Sequence, residues 1–225
     1  MKQTILLLAV VVLAASAGCK RDENPPRVDP GHAYFPVDTG RWIDYKVDSI
    51  WRNDITGVTD STSYLLREKI TNDFLDAQGR TAQRLVRYMA ADNGSWTPKD
   101  VWWQVRTPAN AERAEENQRR VKLIFPPRTG EYWNTNATNV GRPYELTYLA
   151  VDVPWSVNGM SFDSTLLVKT TYQNNAIITN TYYERYAKNV GLVYRQVDST
   201  NTQYLDGIPK VRGTWYKQTI TGYGH

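Results

Sequence analysis

From about His32 to Tyr223, apolar and polar residues alternate in short stretches separated by turn residues. Ile43, Tyr45 and Val47 share one face of such a stretch, and Asp44, Lys46 and Asp48 the other. Tyr64, Leu66 and Ile70 alternate with Leu65, Arg67 and Lys69. Val121, Leu123 and Phe125 alternate with Arg120, Lys122 and Ile124, and Phe162, Leu166 and Val168 with Asp163, Leu167 and Lys169. A period of two places successive side chains on opposite faces of a strand, and the abundant Thr, Val, Tyr and Trp suit a pleated, half-buried surface. Asn93-Gly94, Asn158-Gly159 and Asp206-Gly207 are strong hairpin signals; Gln78-Gly79 and Asn174-Asn175 are weaker ones. The one stretch of helical composition, Ala109 to Arg119, has only alanines to bury and reads as loop into strand. The pattern predicts an all-β fold, an antiparallel meander of about nine or ten strands closed as a barrel, half-barrel or sandwich.

The beginning of the chain departs from this pattern. Ile5 to Ala17 is an apolar run behind Lys2. As a helix it spans about 20 Å, short of a bilayer core of about 30 Å. A charged start, an apolar run and the small residues Ser16-Ala17-Gly18 predict a signal peptide over residues 1–18. Cys19, the one cysteine of the chain, follows directly. The segment resembles the lipobox of bacterial lipoproteins, with Ser16 where Leu is usual. The resemblance implies cleavage before Cys19, acylation (palmitate among the chains) and a stable membrane anchor. Lys20, Arg21, Asp22 and Glu23 resemble the short charged signal that sends lipoproteins of Bacteroidota to the cell surface; a plain solvated tether would look the same. The Pro-rich segment to Gly31 completes a stiff tether over residues 19–31. A single β domain is expected over residues 32–225.

Composition narrows the chemistry. The 225 residues are 41% apolar, enough for a packed core. One Cys excludes an intrachain disulfide framework and a cysteine zinc site. Of the two histidines, His32 adjoins the tether and His225 ends the chain, so neither is expected in a rigid site. No phosphate loop or EF-hand spacing occurs. No cofactor, metal or catalytic residue is expected. With 27 Lys+Arg against 23 Asp+Glu and no basic cluster, no nucleic-acid partner is expected either. A carboxylate pair is the one hydrolytic option left. Glu68 stands on an otherwise apolar strand face, between Leu66 and Ile70, and reads as a rim carboxylate paired with Arg84 or Arg87.

Aromatics offer a binding surface. Trp102 and Trp103 leave opposite faces of one strand. Trp103 is placed with Val101 and Val105 in the core, and Trp102 with Gln104 and Arg106 on the other face. Trp42 shares its face with Asp44 and Lys46. Such rings could stack on a sugar or peptide, or simply pack under a neighbouring element. Tyr132 and Trp133 lie in a loop from Gly130 to Gly141 that offers Asn134, Asn136 and Asn139. This loop is the first candidate for recognition, and capping of a barrel end is its simpler role. Ser49, Ser61, Ser164 and Ser199 each follow an Asp. The pattern resembles the O-glycosylation site of exported Bacteroidota proteins, and chance in a Ser/Thr-rich chain would also produce it.

Three segments carry a wider resemblance. Tyr34-Phe35-Pro36-Val37-Asp38-Thr39-Gly40-Arg41-Trp42-Ile43-Asp44-Tyr45 is similar to the opening of a broad group of Bacteroidota outer-membrane lipoproteins. Leu123 to Pro127 running into Gly130 to Asn134, and Tyr186 to Tyr194, fit the same group. The resemblance implies a secreted β-rich lipoprotein and carries no activity. The expectation is a non-catalytic, lipid-anchored envelope protein at the outer membrane that binds or scaffolds, with envelope proteins or glycan as partners. The alternatives are a carbohydrate-active hydrolase using two carboxylates and a carrier of a hydrophobic ligand.

Overall fold

The computed structural model describes residues 29–172 and 174–225. The signal peptide, Cys19 and the Lys20–Glu23 segment therefore lie outside the described residues. Twelve strands follow in order: β1 (Trp42–Asn53), β2 (Val58–Leu75), β3 (Thr81–Ala90), β4 (Trp96–Arg106), β5 (Asn110–Glu115), β6 (Gln118–Ile124), β7 (Tyr132–Asn134), β8 (Glu145–Val157), β9 (Met160–Thr170), β10 (Ile178–Ala187), β11 (Gly191–Leu205) and β12 (Ile208–Gly224). They form one sheet in the order β6-β5-β4-β3-β2-β1-β12-β11-β10-β9-β8-β7, and every neighbouring pair is antiparallel.

All five hairpin signals fall at turns between successive strands. Asn158 and Gly159 (φ 50° and 76°) and Asp206 and Gly207 (φ 54° and 76°) sit in the left-handed region that two-residue hairpin turns require. The stretch from Ala109 to Arg119, helical in composition and expected as loop into strand, holds the first strand of a hairpin and the start of the second. Its turn is Glu116-Asn117, both at positive φ without any glycine. The count exceeds nine or ten partly because β5 has six residues and β7 three, too few for alternation to register.

The sheet curls until its two edges meet, giving a nearly closed barrel. At the seam Val121 N donates to Thr135 O (2.9 Å), while Trp133 Nε1 and the Thr135 hydroxyl both donate to Val121 O (2.9 and 2.8 Å). One barrel end is plugged by a single 3-10 turn, His32–Tyr34, with Tyr34 and Phe35 buried. Arg106 Nη1 donates to the carbonyls of His32 and Phe35, and Gln104 Nε2 to that of Pro36. Gly31 enters the plug at φ 76°, where a Cβ would stand 2.4 Å from Pro127, so this position needs glycine.

Tyr45, Val47, Leu66 and Ile220 meet inside the barrel, and Leu123, Leu146, Tyr148, Leu166 and Leu192 form a second cluster under the plug. The alternation of β1 and β2 therefore points the way the sequence predicts. On β4 Val105 is buried as expected, but the faces of Val101, Trp102 and Trp103 are inverted. Trp102 and Gln104 face the interior, while Val101 is 61% exposed and Trp103 sets its edge against Phe74 outside. The buried indole is satisfied: its N–H meets Glu116 Oε1 at 3.2 Å and Arg87 lies 3.8 Å above its face.

The hairpin of β8 and β9 has three register irregularities. Bulges bend a strand, and its tip folds onto the outer face of the barrel. There Trp155 meets Tyr194 (5.9 Å) and Asn158 Nδ2 donates to Ile220 O (2.8 Å).

Candidate functional site

Every second residue of a barrel strand points inward, and one layer of these residues is polar. Glu68, Arg87, Gln104, Arg113, Lys122, Glu184 and Gln218 come from seven strands, and all are buried. In a low-dielectric interior such groups need partners: six of the seven join two sets, while Gln218 accepts from the Tyr216 hydroxyl (2.7 Å) and its Nε2 has no hydrogen-bond partner among the described residues. In the first, Glu68 accepts from Arg113 Nη1 (3.1 Å) and lies 3.3 Å from Arg87 Nε. Arg87 Nη1 donates to Asp100 (2.8 Å), and Arg113 Nη2 to Gln104 (3.0 Å). In the second, Lys122 Nζ donates to Glu184 (2.6 Å), Tyr182 (2.9 Å) and Glu115 (3.3 Å). Arg195 reaches Glu115 from the other side (3.2 Å), and Tyr186 donates to Glu184 (2.7 Å). Each set holds two acids and two bases.

Lys122 reaches this layer through a bulge. Ala111 pairs with Leu123 and Glu112 with Val121, which leaves Lys122 as the extra residue of β6. A simple alternation would turn Lys122 away from Leu123; the bulge lets it join the interior.

Glu115 and Glu184 share the Lys122 ammonium, so they are near enough to resemble a hydrolytic carboxylate pair. Their protonation argues against that use. Burial disfavours the charge on both, but Lys122 and Arg195 outweigh it and hold both carboxyls below the usual range. A glycosidase acid needs the opposite shift, upward, to carry a proton at neutral pH. Glu68 is paired with Arg87, as the sequence suggests, but it is buried rather than at a rim.

A cavity of about 450 Å³ opens at the barrel end opposite the plug, lined among others by Glu115, Arg120, Lys122, Tyr144, Tyr182 and Arg195. Under the plug, a space of about 40 Å³ beside Trp42, Glu68 and Arg113 has room for about one water. Charged groups reach both: Glu68 and Arg113 the smaller space, whose other lining residues are mostly apolar, and Glu115, Lys122 and Arg195 the larger. Among the described residues, no group of three His, Cys, Asp or Glu is placed to hold a metal ion.

The candidate aromatics do not come together. Trp42 lies on the outer face, covered by Arg67 (4.4 Å), which Trp96 covers from elsewhere (4.6 Å) and Asp44 binds through both oxygens. Trp102 is buried inside and Trp133 at the seam; Tyr132, beside it, is 67% exposed. The Gly130–Gly141 loop works as a seal. Asn139 donates to Arg119 O (2.6 Å) and accepts from Arg119 N (3.1 Å), while Asn134 Oδ1 accepts from Asn136 N and Tyr144 N. Of the four serines, Ser61 and Ser199 are exposed and Ser49 is half-buried. Ser164 is hydrogen-bonded to Tyr34 Oη (2.8 Å) and to Asp152. Sequence reasoning missed Arg113, Glu115, Lys122, Glu184 and Arg195. Glu184 and Arg195 are next-door partners on β10 and β11, and no local pattern marks that pairing.

No family model matches the chain, and no curated protein matches it. Two solved structures align with most of it. One is a protein from Bacteroides fragilis described as exported and of YmcC-like fold, with 11% identity over 85% of this chain and 98% of that one, and a TM-score of 0.44. The other is described as a lipoprotein, from Parabacteroides distasonis, with 10% identity over 85% and 98% of the two chains and a TM-score of 0.41. Likeness of that degree carries no argument about what this chain does.

Proposed function

We propose that the chain is a lipid-anchored cell-envelope protein at the outer membrane, and that its barrel binds or scaffolds without catalysis. The observation that carries this reading is the interior, filled by side chains from the plug to the charged cavity at the open end. Buried side chains and two neutral sets of ion pairs occupy the space where a carrier would hold an apolar ligand. The hydrolase alternative lacks a protonated carboxyl at Glu115 and Glu184. The anchoring part rests on Cys19 behind its apolar run. Cells expressing the wild type should incorporate radiolabelled palmitate into the protein and carry it in the outer-membrane fraction, and Cys19→Ser should do neither. Equal labelling of both forms would refute the anchor. Release of reducing ends from envelope glycans by the purified protein would refute the non-catalytic role.

A further inference from the structure

The outer face of the barrel carries a groove of about 550 Å³ beneath the folded-over tip of the β8–β9 hairpin. Trp155 forms one wall, and Tyr183, Arg185, Tyr194 and Lys217 line the floor with Lys46. The floor follows from register. Arg185 pairs with Tyr194, Tyr194 with Thr219 and Thr219 with Lys46, one row across four strands. The next row runs Tyr183, Gln196, Lys217 and Asp48.

The charges of this groove do not cancel as those of the interior do. Arg185 is half-buried, packed over Trp155 at 5.0 Å, and donates to the hydroxyl of Thr165 (2.8 Å). Among the described residues it forms no ion pair, and neither does Lys217; Lys46 pairs with Asp48 at 3.2 Å. Three cations thus share one carboxylate. Burial alone acts on the Arg185 guanidinium and lowers its affinity for the proton. A half-buried guanidinium without a carboxylate partner, in a groove whose one acid, Asp48, is already paired with Lys46, is a ready donor to an anionic oxygen. Tyr183 and Tyr194 offer flat rings beside it.

We propose that this groove binds an acidic saccharide, with a carboxylate or phosphate of the sugar on Arg185 and Lys217 and the ring on the tyrosine floor. The proposal deepens the binding role given above, but its test does not involve the lipid anchor, so either can fail alone.

The full chain, solubilised in detergent, is titrated calorimetrically with trigalacturonate and with glucose 1-phosphate. Maltotriose serves as the neutral control, and inorganic phosphate and phosphatidylglycerol vesicles as the alternative anions. At least one acidic saccharide should bind at least about tenfold more tightly than maltotriose. Arg185→Gln should weaken it by about tenfold or more, as expected for loss of a charge-assisted contact. Lys217→Gln, on an exposed side chain, should weaken it as well and tests the groove even if Arg185→Gln folds poorly. Acidic saccharides no better than maltotriose, binding untouched by Lys217→Gln, or affinity for phosphate or vesicles alone would each overturn the proposal.

Discussion

At the scale of single residues, the interior ion pairs decide how the barrel responds to substitution and to acid. Lys122 compensates two carboxylates at once, the buried Glu184 and the largely buried Glu115. Lys122→Met should therefore cost about 3–5 kcal/mol, the range for leaving a buried charge unpaired. Lys122→Met with Glu184→Leu should recover much of that loss in urea unfolding; equal damage in both would mean that packing, not charge, sets the cost. Acid should act on the same groups. Glu115 and Glu184 have folded pKa values depressed below those of the unfolded chain. Their stabilisation is complete above the unfolded value of about 4.3 and is lost as pH falls through the folded values. Stability should thus fall below about pH 4.5, and Glu184→Gln should start lower at neutral pH and decline less steeply with acid. An unchanged slope would remove Glu184 from the account. That Glu68 needs a basic partner was legible in the sequence, because a lone carboxylate on an apolar face demands a base; the sequence offered Arg84 or Arg87, and the structure supplies Arg87 together with Arg113. Lys122 was not legible, because alternation sends it outward and the bulge that reverses it leaves no local mark.

At the scale of elements, turns were legible and faces only partly. Asn-Gly and Asp-Gly announce positive φ chemically, whereas Glu116-Asn117 adopts it with no such signal. The faces of β1 and β2 follow their apolar residues. That of β4 does not, because the interior supplies Trp102 with a guanidinium and a carboxylate that alternation cannot reveal. Two element-level predictions follow from close contacts. Trp133→Ala removes both a buried ring and the seam bond to Val121 O. It should cost about 3–5 kcal/mol and speed hydrogen exchange at the Val121 amide more than at the Tyr45 amide on the far side of the barrel; uniform acceleration would mean that the seam is not a local weak point. On β12, a Cβ at Gly213 would stand 2.3 Å from Ser199 O and 2.6 Å from Thr200 Cα, both backbone atoms of β11. Gly213→Ala should destabilise by about 1–3 kcal/mol through the forced shift of two paired strands, read as a lower urea midpoint.

At the scale of the whole molecule, the sheet order makes two half-barrels of six strands each, β1 to β6 and β7 to β12, meeting twice. One meeting is the short β6–β7 seam. The other is the β1–β12 pairing, whose ladder runs from Trp42–Gly224 to Asn53–Arg212 and joins the two ends of the domain. The sequence marks β12 as a strand through Val211, Trp215, Tyr216 and Ile220, but nothing local says that it lies between β11 and β1. Such long-range pairing must be closed against chain entropy and carries no turn signature. Its position changes what truncation should do. An edge strand could be lost with its own contacts alone, whereas β12 pairs on both sides. Ending the chain at Asp206 removes all of β12 and Ile220 from the core, and it exposes two long ladder edges, on β1 and β11, that can pair with other copies. At the other end, Asp29 contributes a largely exposed pair with Lys188, worth little, while burial of the plug begins at Gly31. A chain starting at Gly31 should therefore unfold in one cooperative step at nearly the wild-type temperature, with a strand-dominated circular dichroism spectrum. The same chain ended at Asp206 should aggregate or lose its cooperative transition. Retention of that transition would show that one half-barrel stands without the other, and would contradict the role of β12 as their junction.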